Sequence, residues 1–243
     1  MCNHEEWVGA CLLDLIAPFE ENVSMTNPVD CNLWCTAERA LEYLRRADSI
    51  PHRTEGEAAL LEFVPPDGAR ILDVGSGDGR LLALAKADRP KAEFVALDFS
   101  PAMLEALHRR FDGDGNVTII AHDFSNPLPP LGQFDAVISS FAIHHVPHER
   151  KRSLYQEVFN LLRPAGVFCN LEHVASPSDR LHQQFRERLG ISPEEEDPSN
   201  KLLGLDQQLG WLREIGFVDV DCHWKWRELA LFAGVKPGPT AGV

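Results

Sequence analysis

The sequence predicts an α/β protein: a doubly wound, mostly parallel sheet of seven strands with a C-terminal antiparallel hairpin and helices on both faces. Three observations support this prediction. Strand-like and helix-like segments alternate from residue 69 onward, the strand-like segments are continuously apolar, and the last two of them follow each other almost directly. Continuously apolar strands between amphipathic helices are covered on both faces, as in parallel sheets. Two strands joined too closely for a helical crossover run antiparallel.

The first five strands alternate with helices. In order, the strands are expected at ARILDV, EFVALD, NVTIIAH, FDAVISS and GVFCNLEHV. The helices between them are expected at GRLLALAKA, PAMLEALHRRF and HERKRSLYQEVFNLL, the last of which ends before Pro164. Two shorter helical segments, at residues 36–46 and 57–63, precede the first strand. They are expected to lead into the core.

The chain changes character after the fifth strand. It is expected to form a helix, a solvated polar loop, a second helix and two hairpin strands, at residues 179–189, 192–200, 205–217, 218–226 and 227–235. The length suits one well-cored domain with appendages. We therefore expect an N-terminal arm over residues 1–35, one domain over residues 36–235 and a flexible tail over residues 236–243.

Charge and cysteine content narrow the class of protein. The 23 Lys and Arg residues against 37 Asp and Glu residues give a formal net charge of −14, which disfavours binding to nucleic acid. The six cysteines form no Cys-x-x-Cys pair, and no stretch approaches the ~20 apolar residues of a membrane helix. The spacing of Cys31 and Cys35 does not by itself indicate thiol chemistry. We expect a cytoplasmic protein without a membrane partner; a homodimer remains open.

The segment with the most specific signal for a ligand-binding site is LDVGSGDGR, where the first strand ends and a helix begins. Gly75, Gly77 and Gly79 allow a sharp turn and leave no side chain between the backbone and a ligand at the helix N-terminus. A tight turn that needs glycine for packing alone is the alternative. The next strand ends in Asp98, which can accept two hydrogen bonds from ribose hydroxyls. Arg80 stands where the nicotinamide fingerprint needs glycine, so a nicotinamide cofactor is disfavoured.

Five motifs in order resemble those of the class I S-adenosylmethionine-dependent methyltransferases: LDVGSGDGR, LDFSPAML, HDFSNPLP, FDAVISSFAIHHV and LLRPAGVF. The resemblance covers about residues 50–235. It implies a seven-stranded sheet with a reversed final hairpin, and S-adenosylmethionine as cofactor. Because the protein is strongly acidic, we expect methyl transfer to a small, uncharged or cationic acceptor, on O or N rather than on C or S.

The same resemblance implies cofactor contacts for residues in these motifs and in the segment before the first strand. They are Arg53, Asp73, Gly75, Ser76, Gly77, Gly79, Asp98, Phe99, Met103, Asp123, Phe124 and Ser140. Asp73 is assigned to the methionine amino group, Asp98 to the ribose, and Phe99 with Met103 to the adenine. Phe124 and Asp123 are assigned to the polar edge of the adenine, although Phe99 and Phe124 could be core residues and Asp123 a turn acceptor.

Within this class, the chain is similar to the branch that includes the carboxy-S-adenosylmethionine synthases of wobble-uridine modification. The segment SIPHRTEGEAALLEFV stands where that branch contacts the cofactor, so Arg53 is a candidate for the cofactor carboxylate; a solvated helix-cap arginine is the alternative. Trp211 stands where the synthases place an arginine, which favours ordinary methyl transfer. A tRNA-modification enzyme and a cofactor-binding regulator without transfer activity remain the alternatives.

The residues after the fourth strand are expected near the reacting centre, because ligands of open α/β sheets bind at that edge. Ser140 and Phe141 lie there with His144 and His145. His145 is the preferred general base, with an ordinary pKa near ~6.5, and His144 is the second candidate. Both could instead be structural. A metal site is disfavoured because adjacent histidines usually point apart. More distant candidates are His148, Glu172, His173 and His182.

Overall fold

A computed structural model describes Thr36, Glu38 and residues 50–65 and 69–238. The predicted arm at residues 1–35, which contains Cys2, Cys11, Cys31 and Cys35, lies outside these described residues. So does nearly all of the predicted helix at residues 36–46. None of the helices in the described part is long and apolar enough to cross a membrane.

Helices and strands alternate in the predicted order. The helices are α1 (Arg53–Leu61), α2 (Arg80–Asp88), α3 (Pro101–Arg110), α4 (His148–Leu161), α5 (Asp179–Leu189) and α6 (Leu205–Ile215). The strands are β1 (Arg70–Val74), β2 (Glu93–Asp98), β3 (Val117–Ala121), β4 (Phe134–Ser140), β5 (Leu162–His173), β6 (Val218–Trp226) and β7 (Leu229–Val235). Short 3-10 turns lie at Ile143–His145 and Pro193–Glu195.

The strands form one sheet in the order β3-β2-β1-β4-β5-β7-β6. Strands β1 to β5 pair in parallel, whereas β7 runs antiparallel to both β5 and β6. The predicted seven-stranded, mostly parallel sheet with a C-terminal hairpin is confirmed. The chain winds outward from β1 in one direction and from β4 in the other. The crevice at the carboxyl ends of β1 and β4 is therefore the expected ligand-binding position.

Each inner strand supplies two hydrophobic cores, because successive side chains point to opposite faces of the sheet. On β1, Ile71 packs in one core with Leu82 of α2, whereas Leu72 packs in the other with Leu154 and Tyr155 of α4. The helices accordingly cover both faces, as predicted.

Strand β5 begins earlier than predicted. It starts at Leu162, which pairs with Phe134, and the register shifts before Ala136 pairs with Val167. The extra residues form a bulge that accommodates Pro164, a residue that cannot donate to a regular ladder. The helix therefore ends before Pro164, as expected, but the strand begins before this proline rather than after it.

Two other boundaries differ from the predictions. Helix α1 begins at Arg53 rather than at residue 57, and both Arg53 and Glu57 are buried in it. Lys236, which the prediction places in the flexible tail, is anchored: its side chain donates to the carbonyls of Phe159 and Leu162, at 2.8 and 2.7 Å.

Candidate active site

A cleft with about 750 Å³ of space, open solvent included, lies at the carboxyl ends of β1, β2 and β4. The cofactor residues predicted from the sequence converge on it with one exception, Gly79. Those that line it are Arg53, Asp73, Gly75, Ser76, Gly77, Asp98, Phe99, Met103, Asp123, Phe124 and Ser140. His145 also lines this cleft, whereas His144 does not.

The three glycines of the loop after β1 have different roles. All have positive φ, of 73°, 56° and 80° for Gly75, Gly77 and Gly79. A Cβ on Gly75 would lie 2.3 Å from the Cβ of Ala142, and one on Gly79 would lie 2.5 Å from the ring of Phe111. A Cβ on Gly77 would meet nothing within 4 Å. Packing therefore requires two of the glycines, and only Gly77 leaves open space at the cleft.

Asp73 carries a buried carboxyl group at the base of the cleft. Only 1% of the residue is exposed, and its Oδ2 has no hydrogen-bond partner. Burial, with the nearby carboxylates of Asp98 and Asp78, raises the pKa of Asp73 to about 7, against the lowering effect of Ser76. A buried acceptor without a partner suits a cationic group.

Two further side chains in the cleft resemble Asp73 in this respect. The buried hydroxyl oxygens of Ser100 and Ser140 have no hydrogen-bond partner either, and both residues line the cleft. Buried polar atoms are normally satisfied by protein, water or ligand. Three such atoms on residues that line one cleft suit a polar ligand.

The carboxylate of Asp98 joins the glycine loop to the start of α3. Its Oδ2 accepts from the backbone N–H of Gly77 at 2.8 Å, and its Oδ1 accepts from that of Ser100 at 2.9 Å. Burial raises the pKa of Asp98, although these backbone donors oppose the shift. The sequence predicts that Asp98 binds the cofactor, but it does not predict that Asp98 also fixes the glycine loop.

Three of the residues that line the cleft have large apolar side chains. Met103 and Phe124 are buried and Phe99 is half-buried. Beside them, Oδ1 of Asp123 accepts from the backbone N–H of Ser125 at 2.8 Å. One oxygen of Asp123 is thus a turn acceptor, while the residue still lines the cleft.

An ion-pair cluster that sequence reasoning missed includes two residues that line the cleft, Arg53 and Arg80. Glu57 is buried, and its Oε1 accepts from Nε of Arg53 at 2.7 Å and from Nε of Arg80 at 3.0 Å. The guanidinium of Arg53 also lies 5.5 Å from the ring centroid of Phe141. The only signal for Glu57 in the sequence is its spacing of four residues from Arg53.

Trp211 packs against the core on the α4 side of the sheet and does not line the cleft. What its replacement of an arginine means for a carboxylated cofactor stays a prediction from the sequence.

A second cavity, with about 660 Å³ of space including solvent, adjoins the cleft at Phe141 and His145, which line both. Its other described lining residues are Ile50, His144, His173, Phe185, Leu189, Asp197, Asn200 and Leu229. Phe141 has a positive φ of 52°, which is strained for a bulky residue, and its N–H donates to the Leu171 carbonyl at 2.8 Å. The strained residue forms part of the boundary between the cavities.

The ring of His144 is held by a buried carboxyl group. It is buried, and its Nδ1 lies 2.5 Å from Oε1 of Glu172. The fully buried Lys151 of α4 donates to the carbonyls of His144, Val146 and Lys201. Burial lowers the pKa of Lys151 to about 8 and raises that of Glu172 to about 7. His144 is thus part of a buried polar network at the second cavity.

His145 is half-buried and bonded to a loop that the sequence presented as solvated. Its Nδ1 lies 2.9 Å from Oγ of Ser199, which donates to Oδ1 of Asp197 at 2.7 Å. Burial and the adjacent His144 hold the pKa of His145 well below 6.5, and Asp197 and Glu172 oppose this shift. The ordinary value expected from the sequence is therefore wrong.

Of the more distant candidates, only His173 lines the second cavity. His173 and His182 contact the two oxygens of Glu228, each at 2.9 Å. His148 is exposed, and its Nε2 lies 3.2 Å from the Leu202 carbonyl. Across the described residues, no group of three or more His, Cys, Asp or Glu side chains is arranged to hold a metal ion.

The sheet order, the glycine loop and the acidic residue at the end of β2 define a Rossmann-like enzyme with its ligand cleft at the switch point of the sheet. A family model described as a methyltransferase domain matches residues 71–166. The demethylmenaquinone methyltransferase of Clavibacter sepedonicus is 30% identical over 207 residues, which are 74% of this chain and 78% of that protein. The chain belongs to the class I S-adenosylmethionine-dependent methyltransferases.

Other relatives agree with this family. The carboxy-S-adenosyl-L-methionine synthase of Helicobacter hepaticus is 25% identical over 201 residues, 73% of this chain and 83% of that one. An O-methyltransferase family protein from Burkholderia thailandensis has the same fold, with a TM-score of 0.66 and 16% identity. That match covers 85% of this chain and 62% of the other. The protein is an S-adenosylmethionine-dependent methyltransferase, and S-adenosylmethionine is its cofactor.

Proposed function

We propose that the protein methylates an O or N atom of a small molecule held in the second cavity. The observation that carries this proposal is the shared wall: Phe141 and His145 line both the cleft and the second cavity. S-adenosylmethionine supplies an electrophilic methyl group on a positively charged sulfur. The chain must hold the acceptor beside that methyl and exclude water, and a shared wall between two cavities suits this task.

The cleft offers a complementary group for each part of the cofactor. We assign Asp73 to the ammonium group, because its Oδ2 is buried without a partner. Asp98 is assigned to the ribose hydroxyls, Phe99 with Met103 to the adenine, and Asp123 with Phe124 to its polar edge. Arg53 is assigned to the methionine carboxylate, and Glu57 holds its guanidinium in place. Charge, burial and orphaned polar atoms support this arrangement.

Two measurements test the proposal. Calorimetry should detect binding of S-adenosylmethionine, and its absence at millimolar concentration would remove the basis of the site. Incubation with methyl-labelled cofactor and either a metabolite extract or tRNA should label the extract. Label in tRNA would favour the modification-enzyme alternative, and label in neither would favour a regulator. The cytoplasmic location, the exclusion of nucleic acid and the homodimer stay predictions.

The glycine loop gives a first prediction. Gly77→Ala should keep the fold at a backbone cost of about 1 kcal/mol, because its φ is positive, and should lower cofactor affinity about tenfold, because its Cβ meets no protein atom and would occupy the cleft. Gly75→Ala should lose about 2 kcal/mol or more of stability, because its Cβ collides with Ala142. Thermal unfolding and calorimetry separate the two effects. Wild-type affinity in Gly77→Ala would show that this loop does not contact the cofactor.

Cofactor binding should depend on pH through Asp73. Its pKa of about 7 leaves the carboxyl protonated at lower pH, where it cannot pair with an ammonium group. Affinity should therefore rise from pH 6 toward pH 8, by up to about tenfold per pH unit below the pKa. Asp73→Asn should bind weakly with little pH dependence. The neighbouring Asp98 and Asp78 also influence this titration, so Asp78→Asn serves as the control and should retain the slope.

A further inference from the structure

Half of the described lining of the second cavity is apolar. Helix α5 supplies Phe185 and Leu189, β7 supplies Leu229, and Ile50 and Phe141 complete the apolar lining. Apolar surface in a binding site favours ligands that bury apolar area themselves. The larger part of the acceptor should therefore be apolar.

The charges around the second cavity disfavour an anion. No Lys or Arg lines it within residues 50–65 and 69–238. Asp197 is part of the lining, and burial holds the pKa of His144 and of His145 well below the usual value. Neutral imidazoles beside a carboxylate offer no countercharge to a buried anion. The described part of the lining therefore disfavours a carboxylated or phosphorylated acceptor.

The bonds of Ser199 determine which nitrogen of His145 accepts a proton. The Ser199 hydroxyl has one proton and donates it to Asp197, so it receives a hydrogen bond from Nδ1–H of His145. In the neutral ring the remaining nitrogen, Nε2, is then the proton acceptor. Ser199 and Asp197 are positioning residues for this tautomer.

An imidazole that lines the cavity can act as a general base only toward a group whose proton it can take near neutral pH. A phenol, with a pKa of about 10, is a far better donor than an aliphatic alcohol, whose value is close to the ~16 of water. The base that lines this cavity thus matches an acidic hydroxyl.

We propose that the acceptor is a neutral compound with an apolar ring body and an acidic hydroxyl group, of phenol or enol type, which is methylated on that oxygen. The inference deepens the proposed function and rests on it. The hydroxyl oxygen forms the bond to the methyl carbon as the carbon–sulfur bond breaks and its electron pair returns to sulfur. The hydroxyl proton passes to Nε2 of His145 and then to solvent.

Three matched probes test the proposal with the full-length protein: 2-naphthol, 2-naphthylmethanol and 2-naphthoate, each with methyl-labelled S-adenosylmethionine. We expect a labelled ether from 2-naphthol, transfer at least tenfold slower to the alcohol, and none to the carboxylate. Transfer to 2-naphthoate, or to none of the three by a protein that binds the cofactor in calorimetry, overturns the inference. A protein that does not bind the cofactor would instead contradict the proposed function.

Variants of the loop provide a second readout. Asp197→Asn and Ser199→Ala should lower kcat for 2-naphthol about tenfold with little change in KM. Asp197→Asn should also move the acid limb of the pH–rate profile to lower pH, because Asp197 raises the pKa of His145. Asn200→Arg should gain binding of 2-naphthoate. An unchanged pH profile and no gain of anion binding would contradict both the charge and the orientation arguments.

Discussion

Replacement of His145 by alanine is expected to lower turnover about 10²-fold or more while leaving the affinity for S-adenosylmethionine nearly unchanged. His145 lines both cavities, and its Nδ1 is held by Ser199, so its ring is oriented at their boundary. Turnover with the identified acceptor and calorimetry with the cofactor measure the two effects separately. Equal losses in both would indicate a structural role.

The pH dependence of the same reaction gives a sharper expectation. A general base must be neutral, and burial with His144 lowers the pKa of His145 well below 6.5. The wild-type rate should therefore stay flat through neutrality and fall only at more acidic pH. The groups facing His145 are His144, Glu172, Asp197 and Lys201, whose Nζ donates to its carbonyl at 3.3 Å. A fall centred at 6.5 would contradict this environment.

His144→Ala is the matched control. This ring pairs with the fully buried Glu172 and does not line the cofactor cleft. Its removal leaves a buried carboxyl group without that partner, so we expect lower stability, by about 1–3 kcal/mol, and a smaller loss of turnover than in His145→Ala. Full activity of both variants would show that positioning alone is sufficient for transfer.

Asp98→Ala is expected to weaken cofactor binding at least tenfold. Two charge-assisted hydrogen bonds to the ribose would each contribute about 1.5–3 kcal/mol. Because Asp98 also binds the backbone of Gly77 and Ser100, the loop should loosen and part of the loss is positional. Calorimetry measures the affinity, and thermal unfolding checks the fold.

Asp123→Ala is the comparison for this variant. Asp123 lines the same cleft but uses one oxygen for the Ser125 N–H. Its removal should cost less affinity than removal of Asp98. Unchanged affinity in a folded Asp98→Ala protein would place the ribose elsewhere.

The fold was predictable where the relevant signals are local. Strand β4 begins and ends where predicted, because an apolar segment is bounded by polar or turn residues at each end. The start of β5 was not predictable, because the bulge around Pro164 depends on the pairing of Leu162 with Phe134 on another strand. The start of α1 depends on burial of the Arg53–Glu57 pair, which local sequence does not reveal.

The candidate site likewise contains residues with a local sequence signal and residues without one. The glycine loop and Asp98 lie at strand ends, so the sequence indicates them directly. Ser199 and Asp197 lie in an acidic segment that resembles a solvated loop, and only tertiary folding brings them to His145. Lys151 lies in a charged helix, and its burial against three carbonyls has no local signal.

The segment between β5 and β6 has a consequence for how acceptor choice can change. Ala175 and Gly204 form a parallel bridge, and the N–H of Ala175 donates to the Leu203 carbonyl at 3.0 Å. The two ends of the segment at residues 176–203 are therefore held together by this bridge. It supplies Phe185 to the second cavity and no described residue to the cofactor cleft. Because lengthening a loop with fixed ends costs little entropy, we expect that exchanging this segment between homologues would change acceptor specificity while leaving cofactor binding intact.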